Sequence, residues 1–515
     1  MKRSRQPVEI NMGELRQVLD RARREPIGEA DYLKLKVALD VLDERLRPSR
    51  TTEKTRTVVE QPKLTESAST PQNHGEHPTS KGHGRNSATA YTGARKVVIK
   101  ATLAAGDTCP GCNCGKVYTQ RQPKTLVRVV GQAPIEATVY EMERLRCNAC
   151  GQVFTAEEPE GIGPEKYDAT AKAMIAQLKY GSGVPFTRLE RLQRQLGIPL
   201  PAPTQWELVE DAAAPLKPAF DQLIWQAAQG EVLHNDDTGM RILRMAREPS
   251  DKRTGIFTSG IVSLWQNRQI ALFFTGRQHA GENLADLLKQ RAEQMDSPIQ
   301  MCDALSRNTP KSTNGVKILL ANCMAHGRRQ FVDVAANFPQ ECGYVLESLG
   351  MVYGNDALAR EQGLDAEERL RFHQQYSGPL MDQLHAWLKD QLSGAKTEPN
   401  SGLGKAISYL LNHWQALTLF LREKGAPLDN NLCERALKKA ILNRKNALFY
   451  KTPHGAMVGD LYMSLIYTCE LNGVNSFRYL TELQRHAEDV KRTPEDWMPW
   501  NYGETLAAMQ RPAAA

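Results

Sequence analysis

"EVLHNDDTGMRILRM", residues 231–245, is where the chain changes period. Upstream, "EKYDATAKAMIAQLKYGSG" (165–183), "PFTRLERLQRQLG" (185–197) and "APTQWELVEDAAAPLKPAFDQLIWQAAQ" (202–229) read as helices. From 231 onward the reading is extended. "GIFTSGIVSLWQ" (255–266) and "QIALFFTG" (269–276) follow as two more strands rich in β-branched and aromatic residues. A helix, "ENLADLLKQRAEQ" (282–294), then a strand, "PIQMCDAL" (298–305), come next. "KILLANCMAHGRRQFVDVAANFP" (317–339) reads as a strand running into a helix, and residues 340–424 as mostly helical.

Three strands, a helix, a strand, another strand and then helices is the order of an RNase H-like fold. Such a fold carries an acid on its first strand, a second after its fourth, and a third on a late helix. The sequence offers Asp236, Asp303 and Glu434 in that order, with the second interval about twice the first, which implies a helical insertion at about 337–424. Glu434 lies in "APLDNNLCERALKKAILNRKNALF" (426–449), a basic amphipathic helix for which Asp429 is the expected cap. Two readings of Glu434 stand: an i,i+4 salt bridge to Lys438, or a metal ligand. Grouped carboxylates suit Mg²⁺ or Mn²⁺, hard cations that bind oxygen and act on phosphodiesters. The surrounding Arg435, Lys438, Lys439, Arg444 and Lys445 then suit DNA phosphates, or else form a solvated basic face. Cys323 and His326 form a C-x-x-H pair. They suit metal ligation, support of the acid site, or simple packing.

The whole chain has 515 residues, 41% hydrophobic and 24% charged, with a net charge of +7. Its pI of about 8.8 is mildly basic. These values fit a multidomain globular protein. No apolar run approaches a membrane span, and the basic start lacks an apolar segment behind it. A cytoplasmic protein is expected. Ten cysteines include "CPGC" and "CNAC", which put Cys109, Cys112, Cys147 and Cys150 at zinc-knuckle spacing. Cys114 is left free or as a substitute for Cys112. Strands are expected nearby at "KVVIKATL" (96–103), "TLVRVVGQ" (125–132) and "ATVYEMERLRC" (137–147).

Four blocks carry a resemblance: "VLHNDDTGMRIL" (232–243), "CMAHGRRQF" (323–331), "NNLCERAL" with "NRKNALF" (430–449), and "GAMVGDLYMSLIYTCELNGVNSFRYL" (455–480). They resemble bacterial transposases of the insertion sequence 66 family. The family's His-x-Asp-Glu-Thr falls on His234, Asp236, Asp237 and Thr238, with Asp237 in the Glu position. Its second Asp falls on Asp303, and its Asn-Asn-x-Ala-Glu-Arg on Asn430, Asn431, Cys433, Glu434 and Arg435. Met324 replaces a Trp, Lys438–Lys439 replace Arg-Pro, and "CDALSRNT" replaces an Asp-Gly-Tyr-like turn after the second acid.

The resemblance implies a multidomain α+β transposase acting by metal-dependent cleavage at transposon ends and strand transfer. Asp236, Asp303 and Glu434 would hold Mg²⁺ or Mn²⁺, with His326 beside them, and the four knuckle cysteines would hold a structural Zn²⁺. Expected segments are N-terminal helices (1–47), a linker (48–95), a zinc ribbon (96–158), a helical DNA-binding region (159–229), an RNase H-like core (230–454) and a C-terminal helical element (455–515). Expected partners are inverted-repeat and target DNA, further copies of the chain as a homodimer or larger assembly, and small accessory proteins of the element. The protein would join the bacterial nucleoid when bound to DNA. The competing readings are a structure-selective nuclease on the same fold and a non-catalytic zinc-ribbon DNA-binding protein.

Overall fold

The computed structural model describes residues 165–246, 253–313 and 315–510, shorter stretches at 102–110, 112–119, 132–146, 153–157 and 159–160, and positions 89, 96 and 98. The expected N-terminal helices, nearly all of the linker, and both Cys147 and Cys150 lie outside the described residues. The chain divides into two units, one of residues 63–174 and 186–208, the other of 1–62, 175–185 and 209–515.

In the first unit, strands β1 (Arg144–Arg146) and β2 (Val153–Thr155) pair antiparallel, with Arg146 opposite Val153. Of the extended stretch expected at 137–147, residues 137–143 form no strand. The described positions of "KVVIKATL" form none either, and "TLVRVVGQ" falls almost wholly outside the described residues. Helix α1 (Ala169–Ala176) starts in this unit, and α2 (Phe186–Gln195) follows. Gly197, at φ +78°, turns the chain back into α3 (Ala202–Ala228). Gln205 ties that corner by donating to the carbonyls of Phe186 and Leu200, at 3.1 and 2.9 Å.

The second unit is built on a five-stranded mixed sheet. It comprises β3 (Val232–Gly239), β4 (Phe257–Trp265), β5 (Arg268–Gly276), β6 (Ile299–Cys302) and β7 (Leu319–Asn322). Their spatial order is β5-β4-β3-β6-β7. The first three form an antiparallel meander, and β6 and β7 run parallel to β3. Gln266 and Asn267, both at positive φ (50° and 61°), make the two-residue turn that a twisted hairpin favours. Helix α4 (Ala280–Leu288) connects β5 to β6, and α5 (Met324–Val334) leaves β7.

Between α5 and the basic helix lie α6 (Pro339–Glu361), α7 (Ala366–Tyr376), α8 (Gly378–Ser393), α9 (Gly402–Asn412) and α10 (Trp414–Leu417). The apolar faces of α6, α8, α9 and α10 share one core with the parallel side of the sheet, where Met301, Phe331, Leu346, Leu384 and Leu410 are buried together. Inside these helices Asp356 is wholly buried among Arg360, Arg369 and His373. Burial alone would raise its carboxyl. Hydrogen bonds from His373 and Arg360 and the charge of Arg369 hold it below the usual range instead. The chain ends in α11 (Asn431–Ala447), α12 (Pro453–Leu471), α13 (Ser476–Arg485), α14 (Ala487–Arg492) and α15 (Tyr502–Met509).

Strand β5 is an edge, and α12 closes it with side chains. Asp460, Ser464, Thr468 and Asn472 recur four apart on one helix face and meet Thr275, Phe273, Ala271 and Gln269, alternate residues of the strand. The amides of Thr275, Phe273, Ala271 and Gln269 donate to Asp460, Ser464, Thr468 and Asn472 at 2.6, 3.0, 3.0 and 3.3 Å. Thr468 and Asn472 also return hydrogen bonds to the carbonyls of Ala271 and Gln269, at 3.2 and 2.7 Å. The match is metric: four helical residues rise about 6 Å and two strand residues about 6.7 Å.

Candidate active site

Alternation along β3 sorts its polar side chains onto two faces. His234, Asp236 and Thr238 point one way, Asn235 and Asp237 the other. Helix α11 lies on the first face and is pinned at both ends. Asn430, wholly buried just before the helix, contacts His234 Nδ1 at 3.0 Å and donates to the carbonyl of Asn235 at 3.0 Å. Fourteen residues on, Arg444 donates to Thr238 Oγ1 at 3.1 Å and to the carbonyl of Gly239. Asp236 lies between the pinned strand residues, and Glu434 lies between the pinned helix residues. Cys433 confirms the level, because its thiol donates to the carbonyl of Gly260, the strand partner of Asp236.

Asp303 follows the last residue of β6, next to β3. A single side chain joins the two aspartates. Asn308 Nδ2, wholly buried, donates to Asp236 Oδ1 at 3.0 Å and to Asp303 Oδ1 at 2.6 Å. The asparagine is itself fixed through its backbone carbonyl, which accepts from Asn235 and Gln300. Burial pushes the Asp236 carboxyl up to about 6, with the charge of Asp303 adding to the rise, against hydrogen bonds from the Asp237 amide and Asn308. Burial likewise keeps His234 neutral, down at about 4.

Asp237 is committed elsewhere. Its carboxylate meets His279 Nδ1 at 2.7 Å and Arg307 at 3.4 Å, on the face of β3 opposite α11.

Glu434 forms no ion pair with Lys438 among the described residues. Its Oε1 instead lies 3.8 Å from His326 Nδ1, in the first turn of α5. That gap is too long for a hydrogen bond. Both atoms are buried and lack a hydrogen-bond partner. Cys323 completes a group whose ligand atoms all lie within 4.8 Å of one another. Burial pushes the Cys323 thiol up to about 11, and the Asn430 amide donates to its sulfur. Orphaned buried atoms on a carboxylate and an imidazole suit a cation between them. As residue types, Asp236, Asp303 and Glu434 are oxygen donors of the kind a hard divalent ion takes, but among the described residues the donor atoms grouped within 4.8 Å of one another are those of Cys323, His326 and Glu434.

Of the basic residues of α11, Arg435, Lys438 and Lys445 are exposed. Lys439 pairs with Glu470 at 2.7 Å, and Arg444 serves as a pin. The helix opens at Asn431 rather than at an Asp429 cap, although Asp429 does accept from the Asn431 amide at 3.1 Å. Sequence reasoning passed over Asn308 and the pins Asn430 and Arg444 as such. The signal for Asn308 was present in "CDALSRNT", where this chain departs from the turn expected after the second acid.

In the first unit, Thr108 and Lys116 bridge across "CPGC". The Gly115 amide donates to Cys112 Sγ at 3.4 Å, and the Cys109 amide to the carbonyl of Gly115 at 2.8 Å. Backbone donors at Gly115 and Cys114 and the Cys109 thiol hold the Cys112 thiol below its ordinary pKa. Cys114 turns its thiol to the carbonyl of Cys112, at 2.9 Å. The Cys109 thiol thus faces the Cys112 sulfur.

Two aspartates bridged by one asparagine thus lie on a mixed sheet, and a basic helix carrying Glu434 packs on the face of β3 that Asp236 occupies. The family described as "Transposase IS66 family" matches residues 166–458, more than half of the chain, and the chain belongs to that family. Two proteins of Sinorhizobium fredii (strain NBRC 101917 / NGR234) are similar along most of their length. The uncharacterized protein y4hP is 26% identical over 77% of this chain and 74% of its own. The uncharacterized protein y4jD is 29% identical over 70% and 71%. No helix among the described residues is long and apolar enough to cross a membrane.

Proposed function

We propose that the second unit is an RNase H-like transposase core that cleaves transposon ends and joins them to target DNA. The observation that carries the reading is the double pinning of α11 to β3 on either side of Asp236. It puts Glu434 on the strand face that Asp236 occupies, with Asp303 held to Asp236 through Asn308. The sheet order β5-β4-β3-β6-β7 supports the same fold. Asp236, Asp303 and Glu434 would hold Mg²⁺ or Mn²⁺. A metal held there would supply activation of a water or 3′-hydroxyl and stabilisation of the leaving oxygen of the phosphodiester.

The chain's own residues do the rest. Asn308 fixes the spacing of the two aspartates. His326 stands against Glu434, placed to steady that carboxylate or meet the phosphate. Arg435, Lys438 and Lys445 face outward for DNA phosphates, a sequence-independent and salt-dependent contribution. Inverted-repeat and target DNA are the substrates, and a homodimer or larger assembly brings two ends together.

The test uses a duplex carrying the element's terminal repeat, a target plasmid and Mg²⁺. Cleavage at the repeat followed by joining to the plasmid, both abolished by chelation, is expected. Cleavage without joining would make this a nuclease, and tight binding with neither would make it a non-catalytic binding protein.

For the first unit, Cys109, Cys112, Cys147 and Cys150 would hold one structural Zn²⁺. Metal analysis of protein purified under reducing conditions should find about one zinc per chain. Cys112→Ser should lower that content steeply while the second unit keeps its unfolding transition. Zinc-free wild-type protein would refute the assignment.

A further inference from the structure

The residues just past α11 form a surface that the acid site does not use. Residues 241–244 and 449–451 run side by side. Ile242 bridges Tyr450 in parallel, Tyr450 donates to the carbonyl of Arg241 at 2.9 Å, and the amides of Leu243 and Arg244 donate to Tyr450 and Lys451, both at 3.0 Å. Alternation turns Ile242 and Tyr450 inward, where both are buried. It turns Arg241, Leu243, Phe449 and Lys451 outward. Leu448 stands beside this face, 64% exposed, with Leu243 at 47% and Phe449 at 38%.

Leu448 is also strained. It has φ 69° and ψ −38°, and the Phe449 amide donates to the carbonyl of Ala447 at 2.9 Å. That is a γ-turn with positive φ at its centre, the rare and costly form. Strain of this kind persists where the surroundings enforce it, and it gathers at functional sites. Here Arg444 clamps the turn from one side through Thr238 and Gly239, and the Tyr450 ladder clamps it from the other. The surroundings are cationic. Arg241, Arg244, Lys445 and Lys451 are exposed, and no carboxylate pairs with them among the described residues.

We propose that Leu448 and Phe449 are a wedge that unstacks a base near the cleaved end of the DNA, with Phe449 as the stacking surface and the four cations on the flanking phosphates. The proposal rests on the transposase reading of the acid site. Exposed apolar side chains alone would fit a protein partner equally well. A rim of cations with no paired carboxylate among the described residues favours a polyanion, and an apolar tip within it favours the face of a base. The placement is close to the acids. Asp236 to Thr238 along the strand, the reach of Arg444, and one helical turn to Leu448 sum to about 20 Å, or about six base steps at 3.4 Å each.

The experiment places 2-aminopurine at each of the six terminal positions of a duplex carrying the element's end. Wild-type protein should raise fluorescence at one or two of them, reporting unstacking. Leu448→Gly, which suits the positive φ and so keeps the fold, combined with Phe449→Ala should abolish that rise. The same variant should cut the paired end about tenfold more slowly, yet come within about twofold of wild type when those positions are mismatched beforehand. Phe449→Tyr should retain the rise. Unstacking by the double variant would overturn the wedge, as would an equal loss of rate on paired and mismatched ends. A changed oligomeric state with unstacking intact would make the patch a subunit contact and would overturn it too. If wild type raises fluorescence but cuts no substrate with Mg²⁺, the parent reading fails while the wedge stands.

Discussion

Alanine in place of Asp236, Asp303 or Glu434 is expected to lower metal-dependent strand cleavage by about 10³-fold or more, because each change strips several kcal/mol of transition-state charge stabilisation from the site. DNA affinity should stay within a few-fold of wild type, since the phosphate-facing cations are untouched. Asp237→Ala is the informative control. Its carboxylate is paired with His279 and Arg307 on the far face of β3, so its loss should cost stability rather than the metal site. Full cleavage by Asp236→Ala, or its loss in Asp237→Ala alone, would exchange the two residues. The apo protein should respond in the opposite sense. Burial, with Asp303 nearby, raises Asp236 to about 6, so Asp303→Asn should raise the Tm measured in chelator by removing a like charge.

The second large effect concerns the closed edge of the sheet. Thr468→Val keeps the shape of the side chain but removes the hydroxyl that both accepts from and donates to Ala271. Two buried backbone groups are then orphaned, at about 1–3 kcal/mol each. Adding Ser464→Ala orphans the Phe273 amide as well. Denaturant unfolding should show the pair of changes costing at least about 3 kcal/mol, and a cost under about 1 kcal/mol would mean that water replaces the ladder freely.

Asp460, at the ladder's first rung, adds a pH dependence. Burial raises its carboxyl to about 7, with the two hydrogen bonds from Thr275 opposing the rise. The folded state therefore holds this proton where the unfolded chain, with a pKa near 3.9, has released it. The contribution is fully present below about pH 4 and is lost as pH climbs through about 7. Asp460→Asn should flatten that slope.

What the sequence disclosed followed from what each pattern physically encodes. The strand and helix order around 231–339 was readable because buried strands and amphipathic helices have distinct periods, and the meander, β6, β7 and α5 lie where that order puts them. Asp236, Asp303 and Glu434 were readable as residue types in an order, though an order alone is not a site, and strand alternation turns Asp237 to the other face of β3. The partners that hold those acids were not readable. Asn308, Asn430 and Arg444 act through contacts across 72, 196 and 206 residues, and no local period records such contacts. That α12 closes the edge of the sheet was hidden for a related reason. Asp460, Ser464, Thr468 and Asn472 sit in a run that reads as apolar, and their four-residue spacing gains meaning only beside a strand edge. The strands expected before 144 illustrate the converse. β-branched residues occur there, but 137–143 lie exposed apart from any sheet, with little burial to reward extension.

The two pins on α11 also set a rule for how this chain can change length. A helix turns about 100° per residue. One residue gained or lost between Asn430 and Glu434 would swing the carboxylate off the strand face, and one between Glu434 and Arg444 would pull the second pin out of phase with Thr238. Outside those bounds the cost of length is gentle, because closing a longer loop adds only logarithmically to the entropy lost. Helix α11 therefore behaves as a gauge of fixed length and phase. Across relatives, the turns joining α6 to α10 are expected to vary in length, while the interval from Asn430 to Arg444 should keep its count even where its letters change.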